Sequence, residues 1–166
     1  MDKKTIISLV AGIALMFGLT AANAESELEG AWIVASWEDL NGEAVEDAQP
    51  GMYIFTGTHY AIMYASTADA RPEYDAEAGR TDEETLAAYA SLTANAGGLE
   101  IDGNTFTTYA YIAKDNNYMA GFPENGVEHE FERNGDSMTV TRTGDFASKA
   151  VLTRVEGGEN APWKTQ

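Results

Sequence analysis

His59 and His129 are the side chains whose ordinary titration falls near neutral pH, so acid–base chemistry in this chain would begin with them. His59 sits close to the turn signal at Gly57, and His129 lies between Glu128 and Glu130, so both read as surface positions. No Gly-x-Ser-x-Gly nucleophile motif and no phosphate-binding glycine loop occurs. The chain has no cysteine, which removes thiol nucleophiles, disulfides and thiolate metal sites. Acids are plentiful, yet neither Glu73-Tyr74-Asp75-Ala76-Glu77 nor Asp115-Asn116-Asn117 fits a twelve-residue calcium loop, and two separated histidines give zinc no close ligand pair. The sequence therefore nominates no catalytic residue, no metal ligand and no cofactor. What it offers instead are aromatic rings with a polar handle: Tyr53, Phe55, Tyr64, Tyr109 and Tyr111 recur on segments with strand character.

Those rings need strands to hold them. Short β-branched and aromatic runs recur between turn signals: Gly30 to Trp37, Met52 to Thr56, Thr58 to Ala65, Leu99 to Ile101, Thr105 to Ala113, Tyr118 to Phe122, Val127 to Arg133, Ser137 to Thr143 and Lys149 to Val155. Asn41-Gly42, Asp102-Gly103-Asn104 and Asn134-Gly135 are hairpin signals between them. Thr81-Asp82-Glu83-Glu84 is a capping box, and Leu86, Tyr89, Ala90 and Thr93 follow at helical spacing up to Gly97-Gly98, which predicts one helix from about Asp82 to Asn95. The loop from Ser66 to Arg80 is long enough for a binding loop or a plain solvated connection. Several strands are apolar on both faces: Met52 and Ile54 alternate with Tyr53 and Phe55, and Phe106, Ala110 and Ile112 with Tyr109 and Tyr111. A closed antiparallel barrel of eight or nine strands accounts for this, since one face lines an interior and the other is partly covered by helix and loops.

Lys3 and Lys4, an apolar run from Thr5 to Leu19 and Ala22-Asn23-Ala24 have the layout of a cleavable signal peptide, with cleavage expected after Ala24 and delivery to the periplasm or beyond. The apolar run is shorter than the roughly 20 residues that cross a bilayer as a helix, so no membrane insertion is expected after cleavage. Residues 25–155 would form one domain, with 156–166 a polar, glycine-containing tail. The net charge of −17 becomes −18 once the leader's single net positive charge is removed. Such a surface repels phosphates, which argues against nucleic acid as a partner.

Leu28-x-Gly30-x-Trp32, Pro50-Gly51-Met52-Tyr53, Arg71-Pro72, Thr81-Asp82-Glu83-Glu84 and Asp102-Gly103, in that order, resemble the bacterial lipocalin-like domain family, whose first strand opens on Gly-x-Trp. The similarity spans 28 to about 143. The resemblance implies an all-β, up-and-down barrel whose floor is closed by a tryptophan with a basic side chain laid against it. Gly30 and Trp32 would take the first part, and Arg154 or Arg142 the second, with Arg154 preferred because a last strand must pair with the first. The family often carries histidines after the Asp-Gly hairpin; Thr107-Thr108-Tyr109 stand there in this chain, so no activity resting on them carries over. A binding module for a small hydrophobic or aromatic molecule, held among Tyr53, Phe55, Tyr64, Tyr109 and Tyr111, is the leading expectation. Two rivals stand beside it: an isomerase- or cyclase-type enzyme on the same barrel, and a structural domain whose barrel is filled.

Overall fold

A computed structural model describes residues 27–38, 41–45, 51–65, 73–74, 77, 79–120, 122–143 and 148–155. The expected signal peptide, the tail from 156, Arg71-Pro72 and most of the 66–80 loop lie outside these residues. The strands are β1 (Gly30–Glu38), β2 (Ala44–Val45), β3 (Gly51–Phe55), β4 (His59–Ala65), β5 (Leu92–Asp102), β6 (Thr105–Ala113), β7 (Val127–Asn134), β8 (Ser137–Arg142) and β9 (Ser148–Arg154), with helices α1 (Asp82–Ala90) and α2 (Asn116–Met119). Apart from β2, which pairs only with β1, each strand neighbours the next in sequence, and β9 returns to pair with β1. Eight antiparallel strands thus close into an up-and-down barrel, with β2 as one extra strand on its rim.

Closure puts alternate side chains inside. Trp32, Phe55, Phe106, Phe131, Met138 and Leu152 fill the lower half and are almost fully buried. Phe106 meets Phe55 edge-on at 5.3 Å and Phe131 at 6.0 Å. The alternation slips at two bulges. One extra residue in β1, between Val34 and Ser36, returns Trp37 to the inward side, where it packs on Tyr64 at 5.6 Å. A second irregularity at Ala96/Gly97 leaves Tyr111 without a partner on β5. A Cβ at Gly97 would collide with the Tyr109 carbonyl oxygen, so the approach of β6 to β5 at this point requires glycine.

Two predicted elements differ. The helix begins as expected, with Glu84 N–H donating to Thr81 Oγ1 at 3.2 Å and Thr81 N–H to Glu84 Oε2 at 2.8 Å. It ends at Ala90 instead of Asn95, because Leu92 to Asn95 bond to β4 along their length. Helical spacing at Thr93 loses to a ladder that continues through Gly97 and Gly98 to the hairpin at Gly103. The predicted strand at Tyr118 to Phe122 is instead occupied by α2 and a turn: Asp115 caps the helix through Asn117 N–H at 2.9 Å, and Pro123 has no N–H to give a ladder. β2 takes its place in the count of nine.

Candidate functional site

The barrel is packed at one end and hollow at the other. At the packed end, Trp32 is fully buried and its Nε1–H donates to the Leu28 carbonyl at 2.9 Å. Its cross-strand partner Arg154 lays its guanidinium 5.4 Å over the indole and donates to the Glu29 carbonyl at 2.9 Å. Gly30 has φ of +134°, and a Cβ there would stand 3.2 Å from Arg154 Nη2, so the conformation and the contact both suit glycine. Arg133 adds a second guanidinium 5.5 Å over the same ring and donates to the Glu27 carbonyl at 3.0 Å. Each such contact contributes ~0.5–2 kcal/mol, depending on burial. Arg142, the alternative named from the sequence, lies at the other end of β8, 5.5 Å over the Tyr118 ring.

Above the aromatic core a cavity of about 460 Å³ opens at the mouth. β3 and β4 supply Tyr53, Ile62 and Tyr64; β5 supplies Thr93 and Asn95; β7 to β9 supply His129, Val140, Arg142 and Ala150. The remaining wall is loop. β6 pairs with β7 over Thr105 to Thr108, so the space beside upper β6 is covered by 114–120 and 122–126, including α2 and Tyr118.

Tyr53 and Tyr64 stack with centroids 6.5 Å apart. Burial pushes both phenols above their ordinary range; at Tyr53 the neighbouring Tyr64 and Tyr118 push the same way and Arg142 opposes them, while at Tyr64 a hydrogen bond with Thr93 is the first opposing influence, Tyr118 adds to burial and Arg142 opposes it. Both are therefore neutral hydroxyls at physiological pH. His129, 6 % exposed, stacks on Phe106 at 4.7 Å with its Nδ1 3.0 Å from the Val127 carbonyl. Burial, followed by the Arg142 charge, pushes its pKa down to about 4 against the opposing Val127 hydrogen bond. The ring is then neutral, with Nδ1–H donating and Nε2 an acceptor. The Asn95 side-chain oxygen is buried without a protein partner, a condition that costs about 1–3 kcal/mol unless water or a ligand meets it.

Of the five aromatic residues nominated as ligand contacts, Tyr53 and Tyr64 reach this cavity. Phe55 lies a layer deeper, 2 % exposed within the core. Tyr109 and Tyr111 are on the outside, because Phe106, Thr108 and Ala110 take the inward positions of β6. The Tyr109 hydroxyl donates to Glu100 Oε2 at 3.0 Å, and Tyr111 is 57 % exposed between Phe122 and His59. His59 is exposed, as expected, whereas His129 is inside. His129, Arg142, Asn95 and Tyr118 were not singled out as site residues from the sequence. For His129 a signal existed: Glu128, Glu130 and Glu132 alternate with His129, Phe131 and Arg133, which marks the second set as inward. Among the described residues no group of three or more histidines and acids could hold a metal ion.

No family model matches the sequence, and no curated protein matches it. Among solved structures, the chain is similar to a lipocalin-like protein from Bacteroides uniformis, with 15% identity, a TM-score of 0.43, and coverage of 77% of this chain and 98% of that one. An uncharacterized protein from Bacteroides eggerthii is similar at 9% identity and a TM-score of 0.40, covering 76% of this chain and 98% of that one.

Proposed function

We propose that this protein is an exported binding module that holds one small molecule in the mouth of its barrel. The carrying observation is the cavity of about 460 Å³, a volume within the range of small-ligand pockets, whose wall mixes aromatic and aliphatic side chains with polar ones in nearly equal measure. A barrel filled by its own side chains would leave no such space. An enzyme reading would want a buried acid beside a tyrosine, and Asp115, the one carboxylate among the described lining residues, is exposed and caps α2. Export rests on the leader-like residues 1–24, whose removal would free a domain with an acidic surface.

Native mass spectrometry of protein from its own host, with fluorescence titration against fatty acids, retinoids and aromatic compounds, tests the reading. A bound small molecule, or saturable quenching that Ser148→Trp abolishes by blocking the mouth, is the expected result. Absence of any bound species and of quenching across the panel would sink it.

A further inference from the structure

His129 carries a ring nitrogen that the protein leaves unmet. Its Nδ1 lies 3.0 Å from the Val127 carbonyl, which also takes the Thr108 hydroxyl at 3.3 Å. A carbonyl can only accept, so Nδ1 holds the proton of the neutral ring and Nε2 is left with a bare lone pair. The ring is neutral because it is buried against Phe106, and because the Arg142 charge beside it opposes a second positive charge. No described residue donates to Nε2, and this atom is not one of those sealed away without a partner, so it opens on the cavity that the ring lines.

The side chains nearest to hand have other engagements. β6, the strand beside β7, turns Ala110 and Thr108 inward; the first has no donor to give and the second spends its proton on Val127. Asn125 Nδ2 donates to the Ala120 carbonyl at 3.3 Å, and Lys114 Nζ to the Tyr89 carbonyl at 3.2 Å. Tyr53, Tyr64 and Tyr118 line the same space, but a phenol hydroxyl both gives and takes, so these three suit either kind of guest. Nε2 of His129 can only take. An ether or ketone oxygen against it would set lone pair against lone pair with water excluded, whereas an O–H or N–H would be matched. One layer below, Val140 pairs with Phe131 and Ala150, and the wall turns apolar.

Resting on the small-molecule reading above, we propose that the occupant is an apolar molecule bearing a hydrogen-bond donor, an O–H or N–H given to His129 Nε2, with its hydrocarbon body on Ile62, Val140 and Ala150.

The test uses a matched pair of probes, 2-naphthol and 2-methoxynaphthalene, which share a ring system and differ in that the methyl ether has no donor. Both are titrated by calorimetry into the full chain and into His129→Phe, which keeps a flat ring on Phe106 but has no ring nitrogen. The ratio of naphthol to ether affinity should fall at least about fivefold in the variant, as expected for one neutral hydrogen bond, with the ether itself staying within about twofold. Nitrogen NMR of the imidazole in the parent gives a readout independent of the variant's folding. Naphthol should move the Nε2 resonance upfield, as accepting a hydrogen bond does, and the ether should not. An unchanged ratio in His129→Phe, or a Nε2 resonance that naphthol leaves in place, would overturn the donor assignment and leave the cavity reading standing. Failure of both probes to bind the parent would overturn the two together.

Discussion

A neutral imidazole sealed against Phe106 makes His129 a titration-sensitive part of the core. The unfolded chain would protonate this ring near its ordinary 6.5, while the folded ring resists until about 4. The unfolded state therefore binds more protons between those values, so the stability contributed by the neutral ring is complete above about pH 6.5 and is lost as pH falls toward 4. Between pH 7 and 5 this amounts to about 2 kcal/mol. Urea unfolding of the parent and of His129→Gln at both pH values checks it: the parent should lose that much more than the variant, and equal losses would refute the assignment. At this scale the sequence is legible where charge marks the outward face, as in Val127-Glu128-His129-Glu130-Phe131-Glu132-Arg133. It is poorly legible on β6, where Tyr109 and Tyr111 suit either face and only the buried Thr108 reveals which one turns inward.

Elements owe their limits to neighbours as much as to their own residues. The run Thr93-Ala94-Asn95-Ala96-Gly97-Gly98 has little strand propensity, yet it bonds to β4 and β6 at once, and that double pairing decides its state. The bulges are invisible to local patterning for the same reason: Ala35 and Tyr111 look like ordinary members of an alternation. Hairpins are different, because Asp102-Gly103-Asn104-Thr105 and Asn134-Gly135-Asp136-Ser137 specify their own turns, and both are found where expected. Gly97→Ala should destabilise the barrel by roughly 2–4 kcal/mol in denaturant unfolding, since the Tyr109 carbonyl would have to move away. Thr81→Ala should behave oppositely. It removes a capping box worth about 1 kcal/mol to α1, but that helix buries no residue, so the unfolding midpoint of the barrel should hardly change. A large fall in the midpoint would show that α1 is coupled to the core.

Over the whole molecule, the closing pair of β1 and β9 matters most, because it removes the sheet edges and sets Arg154 opposite Trp32. Closure was foreseeable from the two-sided apolar strands, but the contents of the barrel were not, since those depend on which strand positions share a layer. The barrel wall is also uneven. Among the described residues it consists of paired strands except beside upper β6, and there residues 114–120 and 122–126 lie over the gap, held by contacts such as Tyr89 Oη to the Lys114 carbonyl at 2.9 Å. That panel's first residue is tied to β5 by Lys114 N–H to the Ala94 carbonyl at 2.7 Å, and beyond that no described backbone hydrogen bond joins it to a strand, so it should open at less cost than the paired wall. Amide hydrogen exchange should find 114–126 opening far more often than the flanking strands and slowing when the cavity is occupied. A molecule held as proposed would then enter through a side hatch while the sealed base stays shut.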